Sequence, residues 1–411
     1  MIKFLYDIFF LPAAGLWLNK QAGKNEKMQL REKTWKDMAN SLPPKNSRRI
    51  WVHAASMGEF EQAKPLIEMI SKNYPEIEII VSFFSPSGYE NQKNYKFADH
   101  KLYMPIDKKE NASFFVDKVD PDLVLFVRYE LWINHFREIK SRNIPLILFC
   151  ATKPGVDGII EKISRPFYKK AFSYFDVIFT AGKEHTDYLH DLALKAQIVT
   201  SADTRIDRIL EKVRSANDSF NFLKDFLKHD LVLLAGSTWP DDEEMIVSAL
   251  KNHNDISVVF VPHEPDPAHI KALSTKIKDY VLLSDIEKYE HGCYSHIIVD
   301  SIGKLLLLYG IADLAYIGGG FGAGVHSVTE PAGYGLPLAA GKKINNSPDA
   351  PRLENAGALQ VVVNSSEFSA WLDNMKIKNK YSKAAAAAKS YVESSRNATE
   401  FIFERIRKFI N

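Results

Sequence analysis

Fourteen short apolar runs, most of them separated by helix-like stretches, constrain the fold of this chain more than any other feature. The first series begins near residue 49 and reads RIWVHAA, EIEIIVSFF, KLYMPI, DLVLFVR, PLILFCA, VIFTAG and AQIVTS. The second begins near residue 229 and reads DLVLLAGS, ISVVFVPH, YVLLSD, HIIVD, LAYIGGG, PLAAG and LQVVV. Near-continuous Val, Ile, Leu and Phe runs that alternate with helices are typical of parallel strands buried on both faces. The pattern therefore predicts an α/β fold with two consecutive doubly wound, Rossmann-like domains.

The length of 411 residues also favours two domains, because a single hydrophobic core rarely grows that large. We place an N-terminal segment at residues 1–45, a first domain at 46–205 and a second domain at 206–411. The C-terminal stretch KAAAAAKSYVESSRNATEFIFERIRKFI favours helix, and we expect the terminal helix to cross back to the first domain. Ligands of doubly wound sheets bind beyond the carboxyl ends of the strands. We therefore expect the two domains to face a central cleft that holds the site.

The segment at residues 4–18 is apolar, with Asp7 as its one charge, and Pro12 interrupts it. It is shorter than the roughly 20 residues that a membrane-spanning helix needs, and it lacks a signal-peptide cleavage pattern. Residues 20–49 then carry nine Lys or Arg against three Asp or Glu. We expect the apolar segment to be a membrane-associated helix that lies in the headgroup region of an anionic surface. The alternative is an amphipathic helix packed on its own domain.

Total charge and cysteine content exclude several other classes of protein. The net charge of +2 is too small for a strong field toward nucleic acid, so we expect no nucleic-acid partner. Cys150 and Cys293 are far apart and form no CxxC pair, which disfavours both a disulfide framework and a zinc cluster. Two reduced, buried thiols fit the cytoplasmic side of a membrane.

Polar side chains follow two predicted strands of the first domain. VHAASMGE places His53 and Glu59 after the first strand, and VRYELW places Arg128, Glu130 and Trp132 after another. Two carboxylates at strand ends of one sheet can face a common site, where a carboxylate acts as general base toward a hydroxyl within hydrogen-bond reach. The alternative for Glu59 is a carboxylate that merely complements the dipole at a helix start.

The second series contains three further polar stretches at predicted strand ends. GSTWPDDEE, which begins at Gly236, offers either backbone N–H groups to an anion or a simple N-cap with an acidic first turn. VPHEPDP places His263 between prolines that stiffen its loop. Five glycines between Gly318 and Gly324 allow a phosphate or sugar to approach the backbone, and Glu330 then opens a helix. A glycine-rich turn with a capping carboxylate is the alternative, and the spacing does not satisfy G-x-G-x-x-G.

Together these motifs resemble a known family. HAASMGE, YELW, DTRIDR, GSTWPDDEE, VPHEP, DSIGKLLLLYGIADLAYIGGGF and GVHSVTEPAGYGLPLAAG look like, and follow the order of, motifs in the bacterial 3-deoxy-D-manno-octulosonic acid (Kdo) transferases. The resemblance implies the GT-B glycosyltransferase fold and Kdo transfer from CMP-Kdo to the lipid A precursor, a tetraacyldisaccharide bisphosphate. It further implies inversion at the anomeric centre, no cofactor and no metal. The implied location is the cytoplasmic face of the inner membrane, during lipopolysaccharide core synthesis.

The resemblance also assigns roles to three residues. Glu59 matches the glutamate of the family's S-x-G-E motif, the general base that deprotonates the acceptor hydroxyl. Glu130 matches the glutamate of E-L-W-P, and Arg205 matches the basic residue of N-L-K-F-D; both are implied to stabilise the transition state. A carboxylate near an oxocarbenium-like sugar and a cation near a departing phosphate suit these tasks. Arginine in place of lysine keeps the charge but presents a fork rather than a point donor.

The CMP-binding residues that the resemblance implies all lie in the second domain. They are Pro262, His263, Ile302, Gly303, Lys304, Ser327, Val328, Thr329 and Glu330. The chain departs from the family pattern in four places: Ser327 replaces Asn, Lys304 replaces Glu, Ile133 replaces Pro, and GKKINNSPDA replaces G-P-x-x-x-N-F. These departures bear on the nucleotide contacts and leave Glu59 untouched.

Two other functions are compatible with parts of this pattern. Another GT-B glycosyltransferase with a different nucleotide sugar would share the two domains and the glycine-rich loop. A membrane-surface protein that only senses a nucleotide sugar would share the pocket, but it would need neither Glu59 nor Glu130. The full set of motifs favours Kdo transfer over both.

Overall fold

The computed structural model describes residues 6–7, 26–128, 130–155, 158–215, 219–292 and 294–411. These residues form two compact units, one that runs to Asp207 and includes Asn397–Asn411, and one that comprises Arg208–Arg396. The sequence-based boundary was placed between residues 205 and 206. Of the predicted membrane segment at residues 4–18, all but Tyr6 and Asp7 lies outside the described residues.

The first unit contains a seven-stranded parallel sheet in the order β3-β2-β1-β4-β5-β6-β7. Its strands are β1 (Arg49–His53), β2 (Glu78–Phe83), β3 (His100–Tyr103), β4 (Leu123–Val127), β5 (Leu146–Ala151), β6 (Val177–Thr180) and β7 (Gln197–Thr200). Its helices are α1 (Glu26–Asn40), α2 (Met57–Asn73), α3 (Pro86–Glu90), α4 (Lys109–Val119), α5 (Ile133–Ser141), α6 (Gly158–Phe172) and α7 (Lys183–His190). Helix α8 (Arg205–Ser215) follows and leads out of the unit.

The second unit contains another seven-stranded parallel sheet, in the order β10-β11-β9-β8-β12-β13-β14. Its strands are β8 (Leu231–Thr238), β9 (Ile256–Pro262), β10 (Tyr280–Leu282), β11 (His296–Ile298), β12 (Leu314–Ile317), β13 (Leu338–Ala340) and β14 (Leu359–Val361). Its helices are α9 (Pro240–Leu250), α10 (Pro267–Ser274), α11 (Leu305–Leu308), α12 (Thr329–Gly333), α13 (Ala350–Asn355), α14 (Ser365–Met375) and α15 (Lys378–Ser394). Three 3-10 helices span Asn221–Phe226, Leu283–Lys288 and Tyr309–Ile311.

Each of the fourteen apolar runs contains a strand, and all the pairings in both sheets are parallel, so the predicted fold class is confirmed. Burial on both faces explains why the runs are apolar throughout rather than alternating. In β1, Trp51 belongs to one buried cluster, whereas Ile50 and Val52 belong to another. Successive side chains of a strand point to opposite faces, so the two clusters lie on opposite sides of the first sheet.

The last helix, α16 (Ala398–Ile410), is part of the first unit. Its apolar side chains Ile402, Phe403 and Ile406 share a buried cluster with residues of α2. Asp207 fixes the start of α16, because its carboxylate accepts hydrogen bonds from Asn397 N at 2.6 Å and Thr399 N at 2.7 Å.

None of the described helices is both long and apolar enough to cross a bilayer. The two described residues of the N-terminal segment pack on the first unit. Tyr6 is buried and donates to Asp107 Oδ2 at 2.8 Å, and Asn134 Nδ2 donates to Asp7 Oδ1 at 2.9 Å. At these two positions the structure agrees with a segment that packs on its own domain.

Candidate functional site

Glu59 lies in the first turn of α2, directly after β1, as the sequence predicted. Ser56 is the N-cap, and Glu59 completes a capping box. Glu59 Oε2 accepts hydrogen bonds from Ala55 N at 2.7 Å and from Ser56 N at 3.3 Å. The adjacent Gly58 is exposed, and a Cβ on it would meet no atom within 4 Å. Glu59 therefore stabilises the helix start, as in the alternative interpretation, and open space adjoins the neighbouring Gly58.

Glu130 lies in the loop between β4 and α5, at the carboxyl edge of the same sheet. Its Oε2 atom accepts a hydrogen bond from the indole Nε1 of Trp132 and lies 3.2 Å from His53 Nε2. Strands β1 and β4 are paired neighbours, so their carboxyl ends bring His53 and Glu130 together. The predicted convergence of the two strand-end stretches is observed.

Glu59 and Glu130 both have raised pKa values. Burial raises the pKa of Glu59 to about 7, with a further contribution from the negative charge of Glu130 and opposing effects from His53 and Arg128. Burial raises the pKa of Glu130 to about 7, against the hydrogen bond from Trp132 and the positive charge of Arg128. A carboxylate with a pKa near neutral pH is a stronger base than an ordinary glutamate and is still partly ionised. The arrangement is thus suited to removing a proton from a hydroxyl.

Arg205 is connected to the helix of Glu59 through two buried side chains. Its Nε atom donates to Asp203 Oδ1 and Oδ2 at 3.1 and 3.0 Å, and Gln62 Nε2 donates to Asp203 Oδ2 at 2.8 Å. Burial would raise the pKa of Asp203, but the charge and hydrogen bonds of Arg205 hold it below the usual value. Gln62 lies three residues after Glu59 in α2. The guanidinium of Arg205 is about one third exposed. Its hydrogen bonds to Asp203, which Gln62 of α2 holds in turn, fix its orientation.

Sequence reasoning missed the partners that hold these groups. Asp203 contacts Arg205, Gln62 contacts Asp203, and Ser82 contacts His53. Each of the three lies in a stretch that is typical of an ordinary strand, helix or turn. Arg128 was noted at a strand end without a role, and the structure shows that its charge lowers the pKa of both Glu59 and Glu130. The sequence feature that could have indicated a role for Arg128 was its position two residues before Glu130 in VRYELW.

In the second unit, the predicted nucleotide residues follow the carboxyl ends of neighbouring strands. Pro262 ends β9, and His263 N donates to Thr238 O at 2.9 Å. The imidazole of His263 stacks on Trp239, with ring centroids 4.9 Å apart, and lies 4.3 Å from the ring of His326. The loops after β8, β9 and β12 thus meet in one aromatic cluster.

The remaining predicted nucleotide residues differ in exposure. Ile302 is 80% exposed and Gly303 has a φ of +84°, in the loop between β11 and α11 that also contains Lys304. Ser327 is exposed, and its Oγ lies 3.3 Å from Thr329 Oγ1. Val328 and Thr329 are buried. Glu330 is half-buried, and burial raises its pKa against the opposing charge of Lys212.

Two glycines of the glycine-rich loop are required by the packing of the protein itself. A Cβ at Gly318 would lie 2.1 Å from Ser237 O, and a Cβ at Gly320 would lie 2.5 Å from Gly341 Cα. At Gly322, by contrast, a Cβ would meet nothing within 4 Å. Close backbone packing therefore accounts for part of this loop without any ligand.

Asp242 holds the glycine-rich loop to α9. Its buried carboxylate accepts from Trp239 N at 3.0 Å, Gly319 N at 2.8 Å and Tyr316 OH at 2.7 Å. The sequence offered Ser and Thr of GSTWPDDEE as an N-cap, and this is wrong, because β8 continues through Thr238 and Trp239 occupies the cap position. The capping acceptor for Trp239 N is Asp242.

We expect Asp242→Ala to destabilise the protein by about 3 kcal/mol, because it leaves two buried donors and one partly buried donor without their acceptor. Thermal or urea unfolding measures this change. Asp241→Ala is the matched control, since Asp241 is the exposed neighbour in the same turn. Equal stability of the two variants would contradict the anchoring role of Asp242.

Among the residues that the structure describes, no three His, Cys, Asp or Glu side chains are grouped as a metal site would require. Cys150 is buried with a free thiol, and burial raises its pKa to about 12. Cys293 lies outside the described part of the chain.

Comparison with solved structures shows the fold. The UDP-GlcNAc 2-epimerase of Neisseria meningitidis, solved with UDP-GlcNAc bound, is similar with a TM-score of 0.61 at 14% identity, over 88% of this chain and 100% of that one. MurG of Acinetobacter baumannii is similar with a TM-score of 0.58 at 12% identity, over 88% and 99%. At such low identity these likenesses concern the fold alone, and they confirm two Rossmann-like units of the GT-B class.

Comparison of sequences identifies similar proteins. Residues 26–208 match the family described as 3-deoxy-D-manno-octulosonic-acid transferase (kdotransferase). The 3-deoxy-D-manno-octulosonic acid transferase of Haemophilus influenzae is 27% identical over 339 residues, which cover 78% of this chain and 77% of that protein. Over these residues the chain is similar to the 3-deoxy-D-manno-octulosonic acid transferases.

Proposed function

We propose that this protein is an inverting glycosyltransferase that moves Kdo from CMP-Kdo to a hydroxyl of the tetraacyldisaccharide bisphosphate precursor of lipid A. The observation that carries the proposal is the Glu59–Glu130 pair at the carboxyl edge of the first sheet. Both carboxyl groups have a pKa of about 7, and they belong to the two motifs for which the family resemblance implies catalytic roles. A protein that only sensed a nucleotide sugar would need neither group.

Glu59 is the general base in this proposal. Backbone donors hold its Oε2 atom, which leaves Oε1 to take the proton of the acceptor hydroxyl. The hydroxyl oxygen then bonds to the anomeric carbon of Kdo from the face opposite the phosphate. The bond between that carbon and the phosphate oxygen breaks, and its electron pair leaves with CMP. Attack from the opposite face inverts the anomeric centre.

Glu130 and Arg205 stabilise the transition state in complementary ways. A carboxylate favours the positive charge that develops on the sugar ring, and the indole Nε1 of Trp132 donates to Glu130 and orients it for this task. A guanidinium favours the negative charge that develops on the departing phosphate, and Asp203 holds Arg205 in one orientation.

The second unit binds the CMP part of the donor in this proposal. The binding residues are Pro262, His263, Ile302, Gly303, Lys304, Ser327, Val328, Thr329 and Glu330. Stacked His263 and Trp239 form an aromatic surface suited to a base, and the loop at Gly303 offers exposed backbone to a phosphate. Backbone contacts of this kind do not depend on side-chain identity, so the replacements at Ser327 and Lys304 are compatible with CMP binding.

Calorimetric titration with CMP and with UDP tests the donor assignment. We expect CMP to bind at least about tenfold more tightly than UDP, with no change when EDTA is added, because the proposed reaction uses no metal or other cofactor. Preference for UDP would instead support a glycosyltransferase with a different donor sugar.

We also propose that the protein works as a peripheral protein on the cytoplasmic face of the inner membrane. Support comes from α6, where Ile159 is 76% exposed and Ile160 and Ile163 are each 65% exposed. The same helix carries four Lys or Arg against one Glu. An apolar patch beside basic side chains suits an anionic lipid surface. Because α6 follows β5, which pairs with β4, this patch begins at the sheet edge that also carries Glu130.

We expect the triple variant Ile159→Ser, Ile160→Ser, Ile163→Ser to lower binding to phosphatidylglycerol-containing vesicles by about tenfold or more, because apolar area is lost from the contact. Co-sedimentation with such vesicles and with neutral phosphatidylcholine vesicles measures the effect. Val363→Ser with Ile377→Ser is the control, since these residues are each 49% exposed in the second unit. An unchanged sedimenting fraction in the triple variant would count against this surface.

A further inference from the structure

A buried chain of hydrogen bonds lies behind Glu130. Trp51 Nε1 donates to Ser82 Oγ at 2.7 Å, Ser82 Oγ lies 2.8 Å from His53 Nδ1, and His53 Nε2 lies 3.2 Å from Glu130 Oε2. Trp51, His53 and Ser82 are each at most 1% exposed. Neither the family motifs nor the mechanism above gives these three residues a task.

The sheet register explains why the chain forms. His53 and Ser82 are direct partners in the parallel pairing of β1 and β2. Trp51 and His53 are two residues apart in β1, so their side chains lie on the same face. Both rings therefore reach the hydroxyl of Ser82 from one strand, and the register fixes this contact without help from loops.

The hydrogen bonds along the chain fit the Nε2–H tautomer of His53. An indole N–H can only donate, so Ser82 Oγ is the acceptor for Trp51. The single hydroxyl hydrogen of Ser82 is then free to point at His53 Nδ1, which accepts it. A neutral imidazole that accepts at Nδ1 carries its hydrogen on Nε2, and that hydrogen points at Glu130 Oε2. Burial, the largest cause, lowers the pKa of His53 to about 3, which agrees with a neutral ring.

We propose that His53 is a positioning residue for the transfer reaction: held as the Nε2–H tautomer by Ser82, it donates to Glu130 and keeps that carboxylate oriented and ionised. This inference rests on the proposed Kdo transfer and adds a role to it. Glu130 then receives two hydrogen bonds on Oε2, from His53 and from Trp132, and together they fix the orientation of its carboxylate.

Several charged and titratable groups face His53 and Glu130 from the elements packed around them. Glu59 on α2, His135 on α5 and Arg31 on α1 act on His53, and Arg128 in the β4–α5 loop acts on Glu130. Burial, His135 and Arg31 oppose protonation of His53, whereas the charge of Glu59 and a backbone hydrogen bond at Ser82 favour it. The ring therefore stays neutral while the two carboxylates titrate, and it acts only as a fixed donor.

Loss of the His53 donor makes the ionised form of Glu130 less favourable. We expect His53→Phe to lower kcat by about ten- to a hundredfold and to move the acidic limb of the kcat profile up by about one pH unit. The KM for CMP-Kdo should change by less than about twofold, because the proposed donor contacts lie in the second unit. His53→Gln, whose amide nitrogen can occupy the position of Nε2, should recover most of the loss.

A second pair of variants separates positioning from general loss of packing. Ser82→Ala removes the hydroxyl that selects the tautomer, and Thr186→Val removes a buried hydroxyl of the same unit that contacts Thr180 and Thr200 instead. We expect only Ser82→Ala to shift the acidic limb. Equal shifts in both variants, or none in Ser82→Ala and His53→Phe, would overturn the inference.

A readout without catalysis keeps the inference distinct from the proposed function. In ¹⁵N-histidine-labelled protein, the resonances absent from His53→Gln identify His53, and their shifts report its tautomer. We expect the Nε2–H form throughout about pH 5 to 8. An Nδ1–H form, or protonation in this range, would overturn the inference even in an active enzyme. A wild type that shows this tautomer but transfers no Kdo would instead refute the proposed function.

Discussion

Glu59→Gln is expected to lower Kdo transfer by about 10²- to 10⁴-fold, the usual contribution of a general base. The amide cannot take the acceptor proton at neutral pH. Its side-chain oxygen can still accept from Ala55 N and Ser56 N, because glutamine also completes a capping box. The variant should therefore fold and bind CMP like the wild type, and the loss should appear in kcat.

Glu61→Gln is the matched control for this prediction. Glu61 lies two residues further along the same helix, where it forms an ion pair with Lys64. Its replacement removes one carboxylate from α2 without touching the proposed base, and transfer should stay within a few-fold of the wild-type rate. If Glu59→Gln were equally active, Glu59 would only stabilise the start of its helix.

The second large effect is the pH dependence of transfer. Glu59 and Glu130 each have a pKa of about 7, and the proposed mechanism needs both groups ionised. Below that pH the rate should fall at least about tenfold for each pH unit, so activity is nearly lost by about pH 5. Measuring kcat/KM from about pH 5 to 9 tests this. A flat profile down to about pH 5 would contradict the raised pKa values.

Glu130→Gln gives the matching test of the interaction between the two carboxylates. The negative charge of Glu130 raises the pKa of Glu59, so its removal should lower that pKa. The residual activity of the variant should therefore have its acidic limb at lower pH than the wild type. A limb that stayed in place would show that the two charges do not interact.

The raised pKa of Glu59 also bears on folding. Its pKa rises from an ordinary value of 4.5 to about 7 in the folded protein, so the folded state favours the protonated form. This contribution to stability is complete below about pH 4.5 and is lost as the pH rises through about 7. The free energy of unfolding of Glu59→Gln minus that of the wild type should thus be larger at pH 8 than at pH 5.

The sequence was sufficient to predict both sheets and the position of Glu59 at the start of α2. Buried parallel strands leave continuous apolar runs such as LVLFV in β4, and these runs can be read without knowledge of their partners. The turn that carries Glu59 was also predicted, since SMGE follows directly on the first apolar run. In both cases the information is local in the chain.

The supporting contacts of the site could not be predicted, because they join residues that are distant in sequence. Ser82 meets His53 only through the register of β1 and β2, and Asp203 meets Gln62 across 141 residues. The pKa values of Glu59 and Glu130 likewise depend on burial and on each other's position. Motif spacing identified the carboxylates but carried no information about what orients them.

The glycine-rich loop shows a different limit. Its glycines were interpreted as room for a phosphate or sugar, yet Gly318 and Gly320 lie against the backbone of Ser237 and Gly341. A glycine needed for internal packing and one needed for a ligand look the same in a sequence. Among the five glycines of this loop, only Gly322 is not already explained by internal packing, because a Cβ there would meet no atom within 4 Å.

The most direct test of the central claim is the mass of the product. The protein is incubated with tetraacyldisaccharide bisphosphate and CMP-Kdo that is generated in the reaction, and the lipid is analysed by mass spectrometry. We predict that the lipid gains the mass of one or more Kdo residues and that the gain disappears with Glu59→Gln. An unmodified lipid in the presence of intact CMP-Kdo, with CMP bound by the protein, would contradict the account.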